Sequence, residues 1–523
     1  MTMRLHDWFE YHARCRPDVP FLEMDGAALS YAQADRRANC WAQAMIAAGL
    51  RVGDRIAYLS TNDIDMGVML MACAKAGVAP VMLNYRLAAR EMQWILQDAL
   101  PRLIFARGAG YLAMIDSILP SLTGVEGLIS VGADTAKRWQ GLESFLADAP
   151  EAAPGLPIAA DDMLYLLYTS GTTGLPKGIM ISHLNVIAHV EQSMCASIAG
   201  RAPGARALVT TPLYHAAGVL RIMTAAINGG TVVLMEHFEP QAFLNNLATL
   251  RINTVNMVPA IIQQLLEMPE IRNLHFPDLQ VIYYGAAPIG ESVLRRALET
   301  FQCPLIQGYG LSESTGGIAY LNEVDHLKAL AGRPELLKST GRAVVLAELR
   351  VIDDQGQPVP PGTVGELCIR GPNVMKGYWR NPEKTAETIR DGWLHSGDAA
   401  YLDAEGYVFL QDRIKDMIVS GGTNLYPSEI ESALLEHPEL LDVAVIGIPH
   451  EKWGEAALAV CVTRSGQPLE ADTLIAFCRN RLGGYKIPRQ YRFVTELPRN
   501  ASGKILKRVL REPYWKGHAR SIA

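Results

Sequence analysis

Along most of the chain, short strand-like runs alternate with longer helix-like ones. RVGDRIAYLS precedes DMGVMLMACAKAG, and VAPVMLN precedes AREMQWILQDA. In each pair a strand pattern gives way to a helical one, which predicts parallel sheets covered by helices. Further strands are predicted at MLYLLYT, TVVLME, LQVIYYG and CPLIQGYG, three of them closing on Thr or Gly. In open α/β sheets, ligands sit beyond such carboxyl ends. From Val344 the texture changes to VVLAELRVIDDQGQPVPPGTVGELCIRG, where β-rich pieces and Pro/Gly turns predict a small β-subdomain. After Arg413 short units resume: a helix from Pro427, strands at DVAVIGIP and AALAVCVT, and a helix at TLIAFCRNRL. The fold class is therefore α/β. A large N-terminal domain of helix-covered sheets, with its small β-subdomain, precedes a smaller α+β C-terminal domain.

A chain of 523 residues exceeds what one hydrophobic core organises, in keeping with two domains. Its net charge of −6 argues against nucleic-acid binding, which requires a basic face. The eight cysteines form no closely spaced pair, so neither a zinc site nor a disulfide framework is expected, and a reducing cytoplasm is the simplest compartment. The N-terminus mixes charges into its apolar residues, unlike a signal peptide. Lys75, Gly77 and Pro80 interrupt the most apolar stretch, Met66 to Leu83, which predicts a buried helix and strand rather than a membrane span. Oligomeric state is left open.

The sharpest local signal is YTSGTTGLPKG, Tyr168 to Gly178, directly after the strand MLYLL. Three glycines allow tight turns, the hydroxyls of Thr169, Ser170, Thr172 and Thr173 offer donors, and Lys177 adds a positive charge. Such a loop suits polyphosphate. It is not the P-loop GxxxxGK[ST], because Pro176 precedes the lysine and Gly178 follows it.

This string resembles the signature of the adenylate-forming superfamily of acyl-CoA synthetases, luciferases and peptide-synthetase adenylation domains. Further blocks stand in that family's order: PLYHAAG, YYGAAP, QGYGLSES, GELCIRGPNVMKGYW, GWLHSGD, DRIKDMIVSGGTNLYPSEIE and PRNASGKILKR. The resemblance covers nearly the whole chain. It implies an ATP-dependent carboxylic acid–CoA ligase that forms an acyl-adenylate and pyrophosphate, then acyl-CoA and AMP. It also implies domains at 1–412 and 416–523, with a hinge at 413–415 about which the smaller domain rotates between half-reactions.

Activation brings a carboxylate against the α-phosphate while pyrophosphate departs, so cations and donors must gather around several anions. By resemblance, Thr169, Ser170, Gly171, Thr172, Thr173, Gly174 and Lys177 hold the phosphates, and Thr169 with Glu313 positions Mg²⁺. Alone, Glu313 reads as a solvated carboxylate. Gly285, Ala286 and Ala287 with Gln307, Gly308, Tyr309 and Gly310 form the adenine slot, although a Tyr between glycines also suits a packed turn. Ser312, where the family usually has threonine, can still donate to the α-phosphate. Asp398 accepts the ribose hydroxyls with support from Arg413, a pairing equally readable as an ion pair. Lys504 is the catalytic lysine of adenylation and Lys415 the hinge residue. Gly421, Gly422 and Thr423 line the thiol tunnel, and Trp453 and Arg489 meet the nucleotide end of CoA. Val419 departs from relatives that carry a lysine there.

The acyl pocket is expected to be walled by His215, Ala216, Ala217, Gly218, Tyr283 and Tyr284. His215 lies near the reacting carboxylate on this reading, although a lone histidine beside an apolar helix is often a core residue. Small residues, including Ala225 and Ala226, suggest room for a medium- or long-chain fatty acid or an aromatic ring. Arg221, a charge in this segment, either binds a second carboxylate, ends a helix or forms an ion pair. No aspartate stands in PLYHAAG to receive an amino acid's ammonium. An aryl- or dicarboxylic acid–CoA ligase, an enzyme loading a carrier protein, and a non-catalytic nucleotide-binding regulator are the alternatives. Retention of Lys177, Glu313, Asp398, Arg413 and Lys504 counts against the last.

Overall fold

The computed structural model describes residues 3–134, 136–169, 176–196, 204–421, 423–479, 481–499 and 505–516. The chain packs as two compact units, Met1–Leu349 with Ile369–Leu394, and Arg350–Cys368 with His395–Ala523. The strands Gly365–Arg370 and Trp393–Leu402 carry the chain from one unit to the other.

In the first unit the alternating pattern yields two large sheets. A nine-stranded sheet has a parallel centre formed, in spatial order, by Leu305–Leu311, Val281–Gly285, Thr254–Met257, Arg206–Val209, Thr231–Leu234 and Pro20–Met24. Gly316–Leu321 returns antiparallel beside Leu305–Leu311. An eight-stranded sheet is parallel from Met163–Thr169 through Ala79–Leu83, Arg55–Leu59 and Leu103–Ala106 to its far edge. At its other edge Lys177–Ser182 and Gly377–Tyr378 run antiparallel.

The most apolar stretch is the buried helix Ile64–Ala76 followed by the strand Ala79–Leu83. Asp63 caps the helix, its Oδ1 accepting from the Met66 N–H at 2.7 Å, and Gly77 closes it at φ +66°. Lys75, buried in this apolar helix, is held by Glu10 at 2.7 Å and Asp35 at 2.8 Å. Among the described residues, no helix is long and apolar enough to cross a membrane.

The second unit contains an antiparallel sheet ordered Thr423–Leu425, Ile418–Ser420, Gly454–Thr463, Leu440–His450, with Gln490–Phe493 parallel to Gly454–Thr463. Alternation along its long strands separates two cores. Val443, Val445, Ala457 and Ala459 pack with helices Pro427–Leu435 and Ala471–Arg479, while Ala444, Ile446, Leu458 and Val460 pack with Leu510 of helix Lys507–Trp515. Both faces are covered, which accounts for the nearly unbroken apolar runs DVAVIGIP and AALAVCVT.

Candidate active site

The phosphate-loop motif joins two antiparallel strands whose last pair is Thr169 opposite Lys177. Ser170, Gly171, Thr172, Thr173 and Gly174 lie outside the described residues, as do Gly422 and Lys504. The ends of the loop are fixed from both sides. Tyr168 Oη donates to Asp98 at 2.5 Å, and the carbonyl of Gly178 accepts from the Trp379 N–H at 2.7 Å. Pairing of Gly377–Tyr378 against Met180 and Ile179 then brings Tyr378 beside the loop. The Lys177 ammonium stands 5.5 Å from the Tyr378 ring centroid, and Tyr378 Oη donates to Glu313 Oε1 at 2.9 Å. Partial burial, with Lys384 nearby, lowers the Lys177 pKa. One tyrosine therefore links the lysine and carboxylate assigned to phosphate and magnesium.

The expected adenine residues lie on adjacent parallel strand ends, with Tyr284 opposite Gln307 and Gly285 opposite Gly308. A side chain at Gly285 would meet the Gly308 carbonyl at 2.7 Å, so the strands approach closely only because this residue is glycine. Ala286 turns the chain out of the sheet at φ +68°. Beyond the second strand, Ser312–Ser314 form one turn of 3₁₀ helix that carries Glu313. Asn373 secures this turn, its Nδ2 donating to the Ser314 carbonyl at 2.9 Å and its own carbonyl accepting from Thr315 Oγ1 at 2.6 Å. Asn185 holds the same segment through the carbonyls of Pro372 and Val374, both at 2.8 Å.

His215 is the N-cap of helix Ala216–Asn228. Gly218 does not open the pocket as its size suggested, because a side chain there would lie 2.3 Å from the Pro212 carbonyl. Tyr283 and Tyr284 face opposite sides of their strand. Tyr284 is hydrogen-bonded to His326 at 2.8 Å, whereas Tyr283 lines a cavity of about 70 Å³ with Arg221, Thr224, Ala225, Asn228, Ser193 and Tyr320. Of the two tyrosines expected in the acyl wall, only Tyr283 lines this cavity.

In the second unit, Asp398 and Arg413 are cross-strand partners, with Arg413 Nε 2.7 Å from Asp398 Oδ1. Arg413 also donates to the Ser396 carbonyl at 3.0 Å. Glu366 orders the approach to Asp398, one oxygen accepting from the Gly397 N–H at 3.1 Å and the other 2.8 Å from His395 Nδ1. The ligand atoms of Glu366, His395 and Cys368 lie within 4.8 Å of one another. That donor set suits a softer ion than magnesium, whereas Thr169 and Glu313 offer the oxygen ligands that magnesium takes. Burial, with Arg413 and Arg511 adding their charge against Asp416 and Asp398, lowers the Lys415 pKa to about 8. The Gly421 N–H donates to the Trp453 carbonyl at 2.8 Å, and the Arg489 guanidinium stands 4.1 Å from the Trp453 ring centroid. Gly421, Trp453 and Arg489 are thus brought together.

Family models for the AMP-binding enzyme and for the AMP-binding enzyme C-terminal domain match residues 9–379 and 429–504. The chain belongs to the AMP-binding enzyme family. It is an enzyme, an AMP-forming acid–thiol ligase. A feruloyl-CoA synthase of an Amycolatopsis species is 37% identical over 98% of this chain and 99% of its own. A long-chain-fatty-acid–CoA ligase of Mycobacterium tuberculosis is 36% identical over 93% of each chain. The o-succinylbenzoate CoA synthetase of Bacillus subtilis, solved with its acyl-adenylate, superposes with a TM-score of 0.84 at 28% identity, covering 98% of both chains. The same enzyme has been solved with ATP and a magnesium ion, with a TM-score of 0.83 at 28% identity over 96% of this chain and 98% of that one.

Tyr378, Asn373, Asn185, Glu366 and His395 were not singled out by sequence reasoning. All but Asn185 stand inside the family blocks, which was the available signal. The hydrogen-bond partners described for them lie 29 to 189 residues away along the chain, so a single sequence cannot reveal the contacts.

Proposed function

We propose that this enzyme joins a carboxylic acid to coenzyme A through an acyl-adenylate. A carboxylate oxygen of the acid bonds to the α-phosphorus of MgATP as the bond to the leaving pyrophosphate breaks. The CoA thiolate then bonds to the acyl carbon, AMP leaves, and the thiol proton passes to solvent. The observation carrying this reading is the Lys177–Tyr378–Glu313 group beside the phosphate loop, in a fold shared with an acyl-adenylate-forming enzyme. In this proposal Thr169 and Lys177 hold phosphates, Thr169 and Glu313 the magnesium ion, and Asp398 with Arg413 the ribose. Lys504 acts in adenylation. Lys415, in the hinge 413–415 between 1–412 and 416–523, turns between the half-reactions. Gly421, Thr423, Trp453 and Arg489 serve CoA.

The relatives differ in the acid their names specify, so the pocket must decide. A medium- or long-chain fatty acid was the first expectation. The cavity beside Tyr283 favours the dicarboxylic alternative instead, because its lining includes Arg221, Ser193, Thr224 and Asn228. Incubation with an acid panel, MgATP and CoA should release AMP and pyrophosphate and yield an acyl thioester detectable by mass spectrometry. Adenylate formation with transfer only to a carrier-protein phosphopantetheine would replace CoA as acceptor. No acid-dependent pyrophosphate release across the panel would overturn the reading.

A further inference from the structure

We infer that Arg221 is a specificity-determining residue that binds a second carboxylate, distant from the reacting one, so that the substrate is a dicarboxylic acid. The inference rests on the acid–CoA ligase reading and names the substrate class of the same site.

Arg221 occupies the sixth position of the thirteen-residue helix Ala216–Asn228, which Gly229 closes at φ +73°. It therefore does not complement the helix end. Nor is it held in an ion pair, since among the described residues no carboxylate lies within ion-pair distance, and every Asp and Glu of the sequence is described. Its Nε is buried and without a hydrogen-bond partner. Arg221 as a whole is only partly buried, and the Tyr283 ring lies 5.6 Å from its guanidinium carbon.

Arg221 is the one ionic side chain among the described residues lining the cavity. His189, close enough to feel Arg221, is held neutral, its pKa lowered by burial and by that positive charge to about 4. Ser193 Oγ lies 3.1 Å from Tyr320 Oη, and the Asn228 side-chain carbonyl is engaged by the Gly230 N–H at 2.9 Å, leaving its amide N–H₂ as a donor. A carboxylate accepts hydrogen bonds and donates none, so it complements this wall. The six residues from His215 to Arg221 span about 9 Å of helix, which sets the scale for the separation between the reacting group and the second one.

The test compares wild type with Arg221→Met and Arg221→Lys on linear dicarboxylates from glutarate to suberate, on terephthalate, and on the monomethyl ester of each. AMP formation gives kcat and KM, and calorimetry gives binding of the same acids. Wild type should prefer at least one diacid over its monoester by about 10- to 100-fold in kcat/KM, mainly through KM. Arg221→Met should abolish that preference while still turning over the monoester, and Arg221→Lys should restore part of it. A wild type that uses every monoester as well as its diacid, or an Arg221→Met that keeps the wild-type ratio, would overturn the inference. The latter result is also expected if Arg221 merely holds a free inorganic anion. If Arg221→Met fails to fold, the diacid-to-monoester ratio in Arg221→Lys decides, an unchanged ratio counting against the role. Absence of turnover with every acid defeats the ligase reading instead. Calorimetry then tests Arg221 alone, diacid binding lost in Arg221→Met supporting the role and equal or absent binding in both proteins refuting it.

Discussion

Replacing Tyr378 with phenylalanine removes one hydroxyl and leaves the ring that faces Lys177. The hydroxyl donates to Glu313 at 2.9 Å, a bond to a charged acceptor. Such bonds contribute about 1.5–3 kcal/mol, and the lower end applies here because Glu313 is only partly buried. If Glu313 holds the metal that accompanies ATP, freeing its carboxylate should raise KM for MgATP about 10-fold and shift the magnesium dependence to higher concentration. Tyr378→Ala also removes the ring from Lys177, adding roughly 0.5–1 kcal/mol, so its loss should be a further two- to five-fold. Initial rates of pyrophosphate release, taken over a grid of ATP and magnesium concentrations, measure both quantities. Because Tyr378 and Glu313 touch, the double variant Tyr378→Phe, Glu313→Gln should lose less than the sum of the single losses. Wild-type magnesium dependence in Tyr378→Phe, or strict additivity in the double variant, would refute the linkage.

Lys504→Ala should suppress pyrophosphate release far more than the reaction of a supplied acyl-adenylate with CoA, and equal losses in single-turnover assays would remove its assignment to the first step. If Asp398 holds the ribose, Asp398→Ala should weaken ATP binding by about 10- to 100-fold in calorimetry, since its ion pair with Arg413 is lost as well. Lys415 has a folded pKa near 8, below its unfolded value, so the unfolded chain binds more protons between the two. The cost of burying its ammonium is fully present below pH 8 and fades as the pH rises toward about 10. Comparing urea midpoints at about pH 7 and about pH 10 should show a smaller gain in stability for Lys415→Met than for wild type. An equal gain in both proteins would deny Lys415 that part.

The element pattern was legible in the sequence because it is local. MLYLLYT became the strand Met163–Thr169, and DMGVMLMACAKAG became the helix Ile64–Ala76, since for continuously apolar runs the length and the flanking residues separate the two. The family was legible for a related reason, as YTSGTTGLPKG and each of the ordered blocks around it is a run of neighbouring residues. Tertiary structure alone decided which side chains meet. Tyr378 reaches Glu313 across 65 residues because its two-residue strand adds to the edge beside the phosphate loop. Gly218 looked like open space in the sequence, and the Pro212 carbonyl fills it. Arg221 could be read as a helix end, an ion pair or a ligand for a carboxylate. Its position within the helix and the absence of any carboxylate partner among the described residues removed the first two, because the pairing of a charge depends on what lies opposite it in space, not along the chain.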